Sequence, residues 1–125
     1  MLFIERSVVK MRYTVKEVSE LSKVTVKTLR HYHEIGLLVP CAFSEAGYRL
    51  YGEEELARLQ QILFYRELEI PLRQIKRLLD GQPDRLSVLA EQERLLLERM
   101  RRLEAIVGTL RATVAGEQSG EAADV

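Results

Sequence analysis

Residues 13–51 read YTVKEVSELSKVTVKTLRHYHEIGLLVPCAFSEAGYRLY, and the stretch divides at its glycines and threonines into short, separately capped pieces. Thr14 stands three residues before Glu17, the spacing at which a threonine hydroxyl and a glutamate carboxylate each satisfy one backbone NH at a helix start. Val15, Val18 and Leu21 then share one apolar face, while Lys16, Glu17, Ser19 and Glu20 face water. Thr25 is placed to cap a second helix whose inner side carries Val26, Leu29 and Tyr32, with Gly36 as its left-handed stop. Only Ser22, Lys23 and Val24 lie between the two helices, which forces a sharp turn.

Committing Val26 and Leu29 to a core turns Thr25, Lys27, Thr28, Arg30 and His31 outward. A helix presenting hydroxyls, backbone NH groups and cations at its start suits the major groove of DNA, because those groups hold phosphates and reach base edges. Any amphipathic helix has a polar face, so this pattern alone carries little weight. The next segment adds to it. Leu37, Leu38, Val39 and Pro40 lead to Cys41–Ala46 and then to Gly47-Tyr48-Arg49-Leu50-Tyr51, two short strands turning at Glu45-Ala46-Gly47 with glycine where φ must be positive. Such a hairpin is a wing, and Arg49 on its return strand is placed to neutralise a phosphate. The expected fold is therefore mainly α: a winged helix-turn-helix domain of four helices with a small β-hairpin wing, followed by a long helix.

The second pair of helices is expected at about 53–68, with Leu56, Leu59, Ile62, Leu63 and Tyr65 inward, and at 71–79, with Leu72, Ile75, Leu78 and Leu79 inward. Pro71 suits a first helical turn, and Glu53 to Glu55 favour the positive end of the third helix. Arg66, Arg73, Lys76 and Arg77 are exposed helix cations in this reading. Gly81 and Pro83 then break the pattern.

From Asp84 to about Ala115 the chain lacks proline, and Leu89, Leu96, Leu103 and Leu110 recur every seven residues. Leu86, Glu93, Met100, Val107 and Val114 occupy the alternate heptad position, so the segment reads as a coiled-coil seam that needs a partner helix. Glu93 interrupts the apolar row and is expected to sit near an end of the pair or to face a partner cation such as Arg101 or Arg102.

With these motifs in place, residues 13–81 resemble the DNA-binding domain of the MerR family of transcription regulators. TVKTLRHY, LQQILFYREL and IPL are most similar to its TipA-like branch. The resemblance implies a second helix in the major groove, a wing on the flanking backbone, and Thr14, Thr25, Lys27, Thr28, His31, Tyr32 and Arg49 as DNA-binding residues. It also implies an antiparallel homodimer through Leu86, Leu89, Leu96, Met100, Leu103, Val107 and Leu110. That dimer would bind double-stranded promoter DNA and distort an overlong spacer for RNA polymerase. Three positions depart from the family pattern: His33 replaces aspartate, Lys27 replaces arginine, and Glu69 replaces the glycine that closes the third helix.

Composition agrees without deciding. The 125 residues balance 19 Lys+Arg against 19 Asp+Glu, so no global field steers the chain to nucleic acid. Residues 1–51 hold eight basic and five acidic side chains, a local excess that predicts salt-sensitive binding through a few phosphate contacts. One cysteine, Cys41, excludes an internal disulfide and a multi-thiolate metal site, and His31 and His33 are two apart on a helix and point in different directions. No catalytic triad, phosphate loop or carboxylate pair is present, so no enzyme, cofactor or metal is expected. Residues 1–10 form an N-terminal extension without the pattern of a signal peptide, and 116–125 read as a disordered tail. Residues 11–81 are the expected DNA-binding domain and 82–115 the dimerisation helix. The length leaves no room for the family's usual effector domain, and an unknown small-molecule inducer would bind near Phe64, Tyr65 and Met100. A cytoplasmic protein with no membrane partner is expected. The rival readings are a helical protein-interaction module and a monomeric architectural DNA-binding protein of excisionase type.

Overall fold

The computed structural model describes residues 12–81 and 84–120, which fall into two compact units divided between Pro83 and Asp84. The extension at 1–10 and the last five residues lie outside the described residues.

The first unit follows the order β1 (Tyr13–Thr14), α1 (Val15–Ser22), α2 (Val26–Glu34), β2 (Ala42–Phe43), β3 (Arg49–Tyr51), α3 (Glu53–Glu67) and α4 (Leu72–Leu79). The capping box at α1 is formed in full: Glu17 NH donates to the Thr14 hydroxyl at 3.2 Å, and Thr14 NH donates to the Glu17 carboxylate at 2.9 Å. Thr25 caps α2 by accepting from Thr28 NH at 3.1 Å. At the far end of α2, Gly36 takes φ 71°, and both Leu37 NH and Leu38 NH donate to the Tyr32 carbonyl. That chain reversal drops Leu37 and Leu38 into the core, while Val39 remains exposed. A Cβ at Gly36 would also press on Lys76 Cε at 3.3 Å.

The wing differs from expectation in having three strands. β3 is central, pairing antiparallel with β2 (Phe43 opposite Arg49) and with β1 (Tyr13 opposite Tyr51). Two residues are too few to show a period of two, so β1 left no pattern in the sequence. The turn falls where expected, with Gly47 at φ 85°.

Val18, Leu29, Tyr32, Leu37, Leu38, Tyr51, Leu56, Leu59, Ile62 and Ile75 are the most deeply buried residues of the core. Burying ten such side chains supplies most of the driving force for this small unit, at roughly 1.5–3 kcal/mol for each large aliphatic group. The Tyr51 hydroxyl is buried with no hydrogen-bond partner among the described residues. Charged groups close the periphery: Arg58 donates to the Leu37 carbonyl at 2.7 Å and to Asp80 at 3.0 Å, and Lys76 also donates to Asp80. Together the two cations hold the Asp80 carboxyl below its usual value.

Two helix ends carry non-glycine residues in left-handed geometry, Lys23 at φ 64° and Glu69 at φ 60°. Glu69 therefore keeps the backbone that a glycine would adopt more cheaply. Pro71 sits one position before α4 as its N-cap, not inside its first turn.

The second unit is one helix, α5 (Arg85–Gln118), capped by Asp84, whose carboxylate accepts from Leu86 NH. It outruns the expected end at Ala115 by three residues, so 116–118 are helical and not tail. At 1.5 Å per residue it is about 50 Å long.

Candidate nucleic-acid interface

The start of α2 is a polar surface that the fold leaves exposed. A nine-residue helix has too few turns to be stable alone, so its packing through Leu29 and Tyr32 fixes which side faces out. Thr25, Lys27, Arg30 and His31 are exposed, and Thr28 is half-buried. The Thr25 hydroxyl donates to the Thr28 hydroxyl at 2.9 Å, so the two side chains form a fixed pair beside the first free NH groups of the helix. Those NH groups carry the positive end of the helix dipole, which suits a phosphate oxygen. Lys27 adds a mobile cation there. Unlike arginine it is a point charge, with no planar fork for bidentate reading of guanine.

Arg49 approaches α2 from the wing. Its Nε donates to Nδ1 of His33 at 3.0 Å, and the His33 ring in turn lies 6.3 Å from the ring of Phe43 on β2. The departure from aspartate at position 33 therefore leaves Arg49 with a neutral acceptor. Its remaining guanidinium nitrogens and its full charge stay available for a phosphate. Phe43 and Tyr48, 58% and 64% exposed, flank the turn of the wing.

One expected contact takes a different role. Tyr32 is 1% exposed, and its hydroxyl accepts from Arg66 Nη1 at 2.7 Å, which corrects its assignment to the DNA-facing set: it anchors α2 to α3 from within. Arg66 is correspondingly tied down and is not a loose surface cation. The Thr14 hydroxyl accepts one bond, from Glu17 NH, in its capping box. Thr25, Lys27, Thr28 and His31 share one helix, and His33 links that helix to Arg49. Arg58 and His33, which sequence reasoning did not assign, do their work through tertiary partners that spacing cannot reveal.

Elsewhere in the first unit, Tyr65 is buried and its ring meets the exposed Phe64 edge-on at 5.4 Å. A separate open groove of about 610 Å³ is lined by residues including Gly36, Val39, Glu54, Arg58 and Asp80, with neither Phe64 nor Tyr65 among them. Among the described residues no cluster of three His, Cys, Asp or Glu could hold a metal, and no helix is long and apolar enough to cross a membrane.

Two packed helices joined by a tight turn, a basic helix start and an arginine-bearing three-stranded wing define a winged helix-turn-helix protein. Residues 13–82 match the model of the MerR HTH family of regulatory proteins, and the chain belongs to that family. It is 42% identical over 112 residues to the HTH-type transcriptional activator mta of Bacillus subtilis, covering 89% of this chain and 44% of that protein. It is also 42% identical over 111 residues to the HTH-type transcriptional activator TipA of Streptomyces coelicolor, covering 88% and 44% respectively. The chain thus spans under half the length of these relatives. Among solved structures, the N-terminal part of the Bacillus subtilis multidrug transporter activator superposes with a TM-score of 0.75 at 43% identity, over 82% of this chain and 97% of that one. HiNmlR, described as a MerR family regulator lacking the sensor domain and bound to promoter DNA, gives a TM-score of 0.58 at 25% identity, over 87% and 92%.

Proposed function

We propose that this protein is a transcription regulator that binds double-stranded promoter DNA as a homodimer. The observation that carries the reading is the exposed, Thr25-capped start of α2, with Lys27, Thr28, Arg30 and His31 on one face and the wing's Arg49 held beside the same helix. Phosphate-binding groups on both elements give a footprint wider than one groove. The solved MerR family regulator bound to promoter DNA supports it.

In this reading α2 enters the major groove, the wing holds the backbone alongside, and α5 joins two copies through Leu86, Leu89, Leu96, Met100, Leu103, Val107 and Leu110. A homodimer presents two reading helices at one fixed spacing. DNA bent to meet both costs roughly 1–6 kcal/mol, offset by contacts from two helices and two wings. That distortion brings the promoter elements into phase for RNA polymerase. An inducer would enter beside Phe64, whose ring the first unit leaves 51% exposed.

The test is a mobility-shift titration on DNA from upstream of the protein's own gene, repeated between 50 and 200 mM salt as a rough range over which phosphate-dominated binding weakens steeply. Saturable, salt-sensitive binding by a dimer supports the reading. Indifference to duplex DNA at the lowest salt overturns it.

A further inference from the structure

Phe43 on β2 is 58% exposed. A single apolar side chain at a surface is ordinary, so its neighbours decide what it means. Phe43 stands directly opposite Arg49 in the antiparallel β2–β3 pair, and residues so paired project from one face of a sheet with Cβ atoms about 4.5–5.5 Å apart. Both rest on the same residue of α2. His33 accepts from Arg49 Nε through Nδ1 at 3.0 Å, and its ring is tilted by 42° against that of Phe43 at 6.3 Å between centroids. Tyr48 is also exposed, but the pairing runs on to Ser44 NH and the Tyr48 carbonyl at 2.8 Å, so strand alternation sends its ring to the opposite face. One face of the wing therefore offers a braced aromatic ring and a braced guanidinium side by side.

We propose that Phe43 is a DNA contact of a second chemical kind: its ring lies on a deoxyribose adjoining the phosphate that Arg49 holds, so that the wing binds duplex backbone by apolar burial as well as by charge. This rests on the DNA binding proposed above and adds to it a residue and a chemistry.

Every phosphate within a DNA strand is flanked by sugars whose carbon-rich sides are apolar. A cation and a ring held one cross-strand spacing apart match that alternation of charge and carbon. The rival occupant is an apolar patch on another protein, and the charges on this face weigh against it. Covering Phe43 with such a patch also takes the neighbouring Arg49 out of water, which is costly without a counter-ion, and Glu45 at the turn is the only acid within 41–51. A phosphodiester strand brings Arg49 its counter-ion while its sugars cover the ring. Neither contact displaces the other. Because the ring is uncharged it releases no counter-ions from DNA, so its share of the affinity is independent of salt.

Binding of the full chain to duplex DNA from upstream of its own gene tests this from both partners. Phe43→Ala should weaken binding about five- to tenfold, the share that covering roughly half a phenylalanine side chain supplies, with the slope of log affinity against log salt unchanged. Phe43→Leu should keep most of the affinity. The same loss should appear when Phe43→Ala is added to Arg49→Ala; if it vanishes there, the ring is only a prop for Arg49 and the inference is overturned. On the DNA side, methylphosphonates placed one at a time locate the phosphate whose neutralisation weakens the parent but not Arg49→Ala. A scan in which no phosphate depends on Arg49 overturns the inference as well. Beside the located phosphate, a three-carbon linker that removes sugar and base is compared with an abasic tetrahydrofuran that keeps the sugar ring. On one side of that phosphate the parent should bind the linker duplex about five- to tenfold more weakly than the tetrahydrofuran duplex, and Phe43→Ala should bind the two alike. Equal binding by the parent on both sides overturns the inference, a result that needs no variant to fold. Salt-sensitive binding that Arg49→Ala weakens and Phe43→Ala does not rejects the Phe43 contact alone, whereas indifference of the parent to duplex DNA at the lowest salt rejects the proposed function with it.

Discussion

Arg49 and His33 are joined across the gap between wing and helix, guanidinium Nε to imidazole Nδ1 at 3.0 Å, so the cation of the wing is aimed by a residue of α2. A neutral acceptor orients the guanidinium without cancelling its charge, which keeps it useful to a phosphate.

Replacing Arg49 by alanine should therefore leave one phosphate per protomer without its cation, lowering the slope of log affinity against log salt by about 0.9 for each such phosphate. Replacing His33 by alanine should weaken binding less and leave that slope unchanged, because the charge remains and only its aim is gone. Salt titrations of the two variants on the same duplex check both; equal slopes for His33→Ala and Arg49→Ala would reject the positioning role.

Thr25 caps α2 with the hydroxyl that the proposed function also assigns to DNA. Thr25→Ala should cost about 1 kcal/mol of stability by removing the cap and weaken DNA binding beyond what unfolding explains. Thr25→Ser, which keeps the hydroxyl, should recover both. Thermal melts and binding measured well below the transition temperature separate the two effects.

Glu69 holds φ 60° at the end of α3, where a side chain is penalised. Glu69→Gly should stabilise the protein by about 1 kcal/mol, measured by urea unfolding, with DNA affinity unaltered.

Tyr51 is buried, and burial raises its phenol above the usual value of 10.0 despite the nearby Arg49 charge, which lowers it. The fold thus favours the neutral phenol. Its contribution to stability is complete below the unfolded value and is lost as pH rises through the higher folded one. Tyr51→Phe removes a buried hydroxyl that lacks a partner among the described residues, so it should be neutral or stabilising by up to about 1 kcal/mol near pH 7. It should also flatten the fall in stability above pH 10. A variant as alkali-sensitive as the parent would show that another group titrates.

What could be read from the chain was whatever is settled within a few residues. The caps at Thr14 and Thr25, the stop at Gly36, the turn at Gly47 and the helical run of α5 all lie in local spacing, and each stands where the spacing put it. Partnerships between distant residues were not legible. Tyr32 looked like a contact residue until Arg66, 34 positions away, claimed its hydroxyl, and nothing near Arg58 announces that it will close on the Leu37 carbonyl. His33 registered only as a departure from pattern; its role needed the fold of the wing. The strand at Tyr13–Thr14 was missed because its identity comes wholly from the strand it lies against.

That strand has a practical outcome for anyone exchanging parts between regulators of this kind. Because Arg49–Tyr51 is shared between the hairpin and the segment that leads into α1, the hairpin is no detachable module. A chimera that transplants 41–51 alone would ask a foreign ribbon to dock on the host's Tyr13 and Thr14. Swaps that carry this opening dipeptide along should fold more faithfully than those that cut behind it.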